Sequence, residues 1–419
     1  MSKKVVVVGG GFTGVAAAVC AARNGMEVTL VEQSNSLGGA STVNLVNPFM
    51  PYWTNDEQGQ KEYLSTGFFE ELTSAMKEIG ILAKNECDFS EEPLKLLLNR
   101  MVLNAGVRLL FNCVIIESKI LDGKIQSVTA FDSGKRIELE ADYFIDATGD
   151  GNLFALSDVP FEIGRPEDKL CQPMTLCFRL GNLKPERFPE KIHAFIHNVY
   201  KDYCKKGKIT IPRENVLFFR TLLPTVLHFN TTRVVKMDPI NPWDVTRAEI
   251  QAREQIEELV DMFRKGVPGF EEAVVFSTAS RIGVRESRRM VGQYQINAED
   301  MKSCTIFEDS IAVGNYDIDI HNPSGVGTSH YYFANGTYYT IPYRTLVPLE
   351  GPANLIVAGR CISATHEAQA SLRIMPICCC LGHAAGAATV VATKHRSSYA
   401  KAPIAEIQEL LEREGARIR

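Results

Sequence analysis

The stretch KKVVVVGGGFTGVAAAVCAARNGMEVTLVEQ, residues 3–33, constrains the fold more than any other part of the chain. Val5 to Val8 is a short, wholly apolar, β-branched run, as a buried parallel strand requires. Gly9-x-Gly11-x-x-Gly14 follows directly. Val15 to Arg23 then reads as a helix of small residues with Gly25 as its stop, and Glu27 to Val31 as a second strand that ends at Glu32. In such a unit the first glycine allows the tight turn, the second lets backbone approach a pyrophosphate, and the third lets helix and strand pack closely. The helix N-terminus offers free N–H groups to phosphate, and an acid about 20 residues on can accept the ribose hydroxyls. A lone GxGxxG is weak. With a strand before it, a helix after it and an acid at the end of the second strand, it predicts a dinucleotide site.

The fingerprint does not decide between NAD and FAD. Two further stretches bear on the choice. SNSLGGASTVNLVNP places Gly38-Gly39 just after Glu32, a second close-approach loop beyond what NAD needs. YFIDATGDGNLFALSD is an apolar strand, Tyr143 to Ala147, that runs into Thr148-Gly149-Asp150-Gly151.

With its 419 residues the chain is too long for one ordinary core, so two domains are expected. A net charge of −5 gives no reason to expect nucleic acid or an anionic membrane surface. No segment is read as reaching the roughly 20 apolar residues of a membrane span, and the first apolar run is too short for a secretory signal. A cytoplasmic protein is expected. Its eleven cysteines are then free thiols, and they lack C-x-x-C metal spacing, so no metal site is expected.

The stretches Gly9 to Gly14, Gly38-Gly39, Ile145 to Gly151, GVRESRRMVGQY from Gly283, YTIPYRTLVP from Tyr339 and NLIVAGRCISATHEAQASLRIMP from Asn354 span nearly the whole chain. Together they resemble the FAD-dependent oxidoreductases of the glutathione-reductase-like superfamily. The nearest likeness is a bacterial group distantly related to the fumarate reductase flavoproteins. The resemblance implies an α/β fold: a discontinuous Rossmann-like FAD-binding domain, 1–158 and 335–419, with an inserted β-rich α+β substrate domain, 159–334. It implies FAD on Gly9, Gly11, Gly14, Glu32, Gly38 and Gly39. Val114 would meet the adenine by backbone, Thr148, Gly149 and Asp150 would border the cofactor, and Gly359 and Arg360 would close the site. Fumarate reductases attach FAD through a histidine. Residues 1 to 60 contain none, so noncovalent FAD is expected.

Around this frame, residues 62 to 104 have helical spacings, Val107 to Ile120 reads as β, and Asp122-Gly123 as a hairpin turn. A helix is expected from about Val245 to Phe263, opening behind Asp244. Residues 315–346 are rich in Gly, Asn and Ser and read as a long loop. An amphipathic helix ends the chain.

A flavin carries the redox chemistry while the protein positions and tunes it. The candidates for that work are His321, beside Asp317 and Asp319 at strand spacing, Tyr343 and Arg344 in the IPYR segment, and His366 and Arg373 around the turn before the last core helix. Histidine suits proton transfer near neutral pH. Arg281, Arg285, Arg288 and Arg289 read either as structural ion pairs, or as a cationic pocket for a carboxylate or a charge that stabilises reduced flavin. Hydride transfer between flavin N5 and a small polar substrate, neutral or anionic, is the leading expectation. A flavoprotein subunit that relays electrons to a partner and a non-redox FAD or nucleotide-binding protein are the alternatives, and homo-oligomerisation is left open.

Cys378-Cys379-Cys380 follow Pro376, which suits the first position of a helix. Consecutive helical residues point about 100° apart, so the three sulfurs cannot meet on one metal. Gly382 and Gly386 form a small face for packing on the first helix. Cys378, in the first turn, is the one thiol that a helix dipole would favour as thiolate.

Overall fold

The computed structural model describes residues 3–419. Its centre is a five-stranded sheet in the order Leu355–Val357, Tyr143–Asp146, Lys4–Val8, Glu27–Val31, Arg108–Leu110. Every neighbouring pair is parallel. Both faces of such a sheet must be covered, and the strand Lys4–Val8 shows it: Val5 to Val8 are all buried. Val5 and Val7 belong to the core on one side, Val6 and Val8 to the core on the other.

On the first side lie the glycine-loop helix Phe12–Arg23 and the helix Met375–His395. The first stops as expected: Asn24 is its C-cap and Gly25 follows at φ +87°. The two helices are nearly all Ala, Gly, Val and Cys at their contact, and their backbones approach closely. A Cβ on Gly382 would stand 2.0 Å from the Thr13 carbonyl oxygen, and one on Gly386 2.7 Å from that of Ala17. Met375–His395 is long and apolar enough to cross a membrane by length and composition, and 89% of its most apolar window is buried inside the protein. That corrects the reading that no segment reaches such a length. The helix is hydrophobic all round because it is enclosed on all sides.

The second side of the sheet is covered by the antiparallel strands Val114–Leu121, Lys124–Asp132 and Lys135–Glu140, which turn at Asp122-Gly123. Asp122 and Gly123 both have positive φ, +51° and +69°, the requirement of the tight hairpin turn. The expected run Val107 to Ile120 is broken at Phe111–Cys113, where Asn112 takes φ +57°. Its first part stays in the parallel sheet and its second leaves for the hairpin.

A separate core gathers around a four-stranded antiparallel sheet, Phe218–Arg220, Leu227–Phe229, Phe178–Gly181, Val274–Thr278, backed by the helices Ile192–Lys205 and Pro242–Gly266. The long helix starts three residues before the expected Val245: Asn241 caps it, accepting a hydrogen bond from the Trp243 N–H, and Pro242 opens it. Ile296, Met301, Ile311 and Ile318 pack instead with the glycine-loop helix and Met375–His395. The segment read as a long loop holds an antiparallel hairpin, Ile318–His321 with Thr328–Tyr331. The C-terminal helix Ile404–Arg413 is amphipathic and buries Ile407, Leu410 and Leu411.

Candidate functional site

One cleft of about 830 Å³ runs from the ends of the parallel strands to the sheet of the second core. Open parallel sheets bind ligands at the carboxyl ends of their strands. The chain places its glycine loops there. Gly9 has φ +101°, and a Cβ on it would stand 2.5 Å from the Ala147 carbonyl oxygen. Gly14 does not line the cleft; a Cβ there would lie 1.7 Å from the Gly9 oxygen. Its absence of a side chain lets the helix begin directly under the strand. Gly11 is different: a Cβ there would meet nothing within 4 Å, and its open side is the cleft. Gly38 pairs with Gly11 by an isolated bridge, and Gly39 sits over it, its Cβ position 3.0 Å from the Gly11 Cα. Two glycine loops thus line up backbone against backbone.

Glu32 is buried at the end of its strand and lines the cleft. Its carboxylate accepts the Gly10 N–H at 2.5 Å and the Ser34 N–H at 2.7 Å. A carboxylate has about four lone-pair sites, so acceptor capacity remains for ligand hydroxyls. Val114, Thr148, Gly149, Asp150, Gly359 and Arg360 also line the cleft. Arg360 pairs with Asp150 at 2.5 Å and donates to the Val284 carbonyl, which ties the cradle to the second core. Beneath them Asp146, fully buried, accepts N–H bonds from Thr148 and Phe154 and fixes the turn.

At the other end the hairpin Ile318–Tyr331 brings Asp319, His321, Thr328 and His330 to the cleft beside Tyr316 and Arg373. Asp319 is the hub. It accepts the Tyr316 hydroxyl at 3.1 Å and lies 3.3 Å from His321, 3.7 Å from His330 and 3.4 Å from Arg373. Burial acts to raise its pKa, but the His321 hydrogen bond and the Arg373 charge outweigh burial and hold the carboxyl well below the usual range. His321 is pushed down to about 3, by burial first and then by the Arg285 charge. It is therefore a neutral imidazole at pH 7, suited to donate or accept a hydrogen bond. As a stored acid it is unsuited, which narrows the acid/base role expected of it.

Three candidates do not line the cleft, and the structure corrects the roles given them there. Tyr343 is buried and donates its hydroxyl to the Tyr399 carbonyl at 3.0 Å. Arg344 faces outward and pairs with Asp309 at 2.9 Å. His366 is enclosed against Glu286 at 2.9 Å, and Glu286 also holds the buried Arg289. All three bind fixed groups of the fold. Arg288 likewise donates to the Asp150 carbonyl, whereas Arg285 reaches the cleft. Cys378 lines it too, but burial pushes its thiol up to about 12, and the helix end does not make it a thiolate. Arg213, Arg233 and Asn230 line the same end and carried no motif. Asn230 and Arg233 are polar residues inside a β-like run, a signal common on solvated strand faces, and Arg213 lies in the loop before Phe218.

One set of metal-type donors lies elsewhere. Cys20, His383 and Glu414 come within 4.8 Å of one another from three separate segments, which no spacing could show. His383 and Glu414 are hydrogen-bonded at 2.6 Å, and Asn24 donates to the same carboxylate. They pin the C-terminal turn to the two core helices.

The cradle suits a dinucleotide with a second close-approach loop. The family model described as FAD dependent oxidoreductase matches residues 4–411. This chain belongs to the FAD dependent oxidoreductase family. FAD is its cofactor, and the residues present fit it: an open glycine, a helix start and an acid with spare acceptors face one cleft. No curated protein matches the chain. Among solved structures it is similar to a geranylgeranyl bacteriochlorophyll reductase-like protein from Thermoplasma acidophilum, at 11% identity and TM-score 0.48, covering 100% of this chain and 85% of that one. It is similar also to the flavin-dependent brominase Bmp2, at 11% identity and TM-score 0.46, with 98% and 83% covered. The p-nitrophenol 4-monooxygenase PnpA from Pseudomonas putida gives 11% identity and TM-score 0.46, with 98% and 86% covered. Likenesses this distant carry nothing about the reaction.

Proposed function

We propose that this protein binds FAD noncovalently and transfers a hydride between a small polar substrate and the flavin. When bound, the flavin supplies the redox step at N5. The chain's own residues do the rest. Gly9, Gly11, Gly38, Gly39 and Glu32 hold the dinucleotide, and Thr148, Gly149, Asp150, Gly359 and Arg360 border it. The substrate lies at the hairpin end, where Asp319 keeps Tyr316, His321 and Arg373 oriented toward the cleft. The Tyr316 hydroxyl is kept protonated by burial and by the Asp319 charge; its proton is donated to Asp319, which leaves its oxygen to accept a hydrogen bond from the substrate.

The observation that carries this reading is continuity: the glycine cradle and the Tyr316–Asp319–His321–Arg373 cluster line the same cavity. The purified protein is expected to be yellow, to release FAD into the supernatant on acid precipitation, and to take up two electrons per flavin anaerobically. Flavin that stays with the precipitate would exclude noncovalent binding. A colourless protein that does not quench added FAD would exclude the whole reading.

A further inference from the structure

We propose that the substrate is a small organic acid, seated by its carboxylate between Arg213 and Arg285. The proposal rests on the function given above and names the substrate class for that same cleft.

The charges at this end do not balance. Arg213, Arg233, Arg285 and Arg373 all line it. Against them stand Asp319 and, on the exposed rim, Glu214. The two histidines do not correct this, because His321 is held neutral and His330 already faces Asp319. Arg373 shares Asp319, and Arg233 donates to the carbonyls of Asn322 and Gly327. Arg285 has only neutral oxygens: the Pro173 carbonyl at 2.7 Å, the Thr175 hydroxyl at 2.6 Å and the Asn230 side chain at 3.5 Å. Arg213 has less. Its guanidinium makes no hydrogen bond or ion pair with any described residue, and its Nε is buried without a partner.

An enclosed guanidinium without an anion is costly, because its hydration is lost and nothing replaces it. A guanidinium does not escape by losing its proton. Burial pushes both Arg213 and Arg285 downward from the ordinary value; the Arg233 charge adds to this at Arg213, against a partial offset from Glu214, and the Arg373 and Arg213 charges add to it at Arg285. An oxyanion between them relieves both. The planar fork of a guanidinium matches the planar carboxylate with two parallel hydrogen bonds. The Thr175 and Asn230 oxygens that touch Arg285 fix where its fork points.

The same imbalance makes Arg213 an unusual test residue. Arg213 is half-buried with a buried, unpartnered Nε, which is a cost to the ligand-free fold, so replacing it removes that cost and breaks no hydrogen bond or ion pair between described residues. The holoprotein is titrated with malonate, acetate, malonamide and inorganic phosphate, read by the perturbation of the visible flavin band. Wild type is expected to bind malonate saturably and malonamide at least tenfold more weakly. Arg213→Met is expected to weaken malonate at least tenfold, with unchanged flavin content and an equal or higher Tm. Arg285→Lys is expected to weaken it as well, and Arg344→Gln, outside the cleft, to leave it unchanged. Tighter binding of inorganic phosphate than of both carboxylates would overturn the carboxylate assignment. So would a flavin that is present and reducible but insensitive to every anion, a result that leaves the FAD reading standing. A lower Tm in Arg213→Met would show a structural partner and overturn the seat. Absence of flavin would instead count against the proposed function itself.

Discussion

Two glycines of one fingerprint should fail in opposite ways. Gly11 has φ −64° and ψ 178°, angles any residue adopts, and a Cβ there meets no protein atom within 4 Å. Gly11→Ala should therefore fold normally. Alanine is a poorer helix cap than glycine, but it also narrows the unfolded ensemble, and these effects of about 0.5–1 kcal/mol oppose each other. The added methyl enters the cleft where the cofactor's backbone approach is needed. Forcing a methyl into a fitted contact costs about 1–3 kcal/mol, or roughly 5- to 150-fold in Kd. Gly14→Ala is the reverse case. Its Cβ would lie 1.7 Å from the Gly9 oxygen, where real contacts essentially never fall below 3.0 Å. The helix must then retreat from the strand by about 1.3 Å, which costs at least the upper end of that overpacking range. The assay is FAD titration of each apoprotein by fluorescence quenching, beside its thermal melt without FAD. Gly11→Ala should keep the wild-type Tm and lose affinity, while Gly14→Ala should lose Tm. Wild-type FAD affinity in Gly11→Ala, or a wild-type melt in Gly14→Ala, would refute the assignment of one glycine to the ligand and the other to packing.

Other outcomes follow from the same structure. Gly382→Ala, whose Cβ would lie 2.0 Å from the Thr13 oxygen, should lower stability by more than about 3 kcal/mol, seen as a large loss in Tm. Cys378→Ser should leave flavin reduction rates unchanged at pH 7, and Cys378 should resist iodoacetamide in the folded protein, because burial pushes its thiol up to about 12. Stability should fall with acid. His228 and His321 are lowered from 6.5 to about 3 in the fold, so the unfolded chain binds more protons below pH 6.5. Each such histidine removes about 2 kcal/mol between pH 6.5 and 5. His228, buried with neither ring nitrogen partnered, gives the cleaner test. Denaturant unfolding of apo His228→Phe at pH 7 and pH 5 should show a smaller acid loss than wild type by about that amount, and an equal loss would contradict the assignment.

The cofactor end was legible because backbone geometry writes itself into sequence. Tight turns and close approaches need glycine at fixed spacing, as at Gly9, Gly11 and Gly14, and a buried parallel strand needs an unbroken apolar run, as at Val5 to Val8. The packing of Gly382 and Gly386 on the first helix was readable for the same reason. The substrate end was not. Arg213, Arg233, Arg285 and Arg373 come from separate segments, and only the fold shows which of them lacks an anion. His366, Tyr343 and Arg344 have the residue types of a site, yet Glu286, the Tyr399 carbonyl and Asp309 already hold them. The hairpin Ile318–Tyr331 hid behind the Gly, Asn and Ser of its own turn, although Ile318 and Ile320 alternate with Asp319 and His321 as a strand should. The helix Met375–His395 escaped a search for apolar spans because Gly382, His383, Gly386 and two threonines interrupt its run of small apolar residues. It is buried by close packing more than by bulk.

The most direct test of a cleft with cofactor at one end and an acid substrate at the other is anaerobic mixing of the holoprotein with small carboxylic acids and their amides. The flavin's redox state is followed in the visible band, starting from oxidised and from reduced protein, in wild type and in Arg285→Met. At least one acid should change that state, its amide should not, and the variant should respond at least tenfold more slowly. A neutral compound that drives the change as fast in the variant as in wild type would contradict the account.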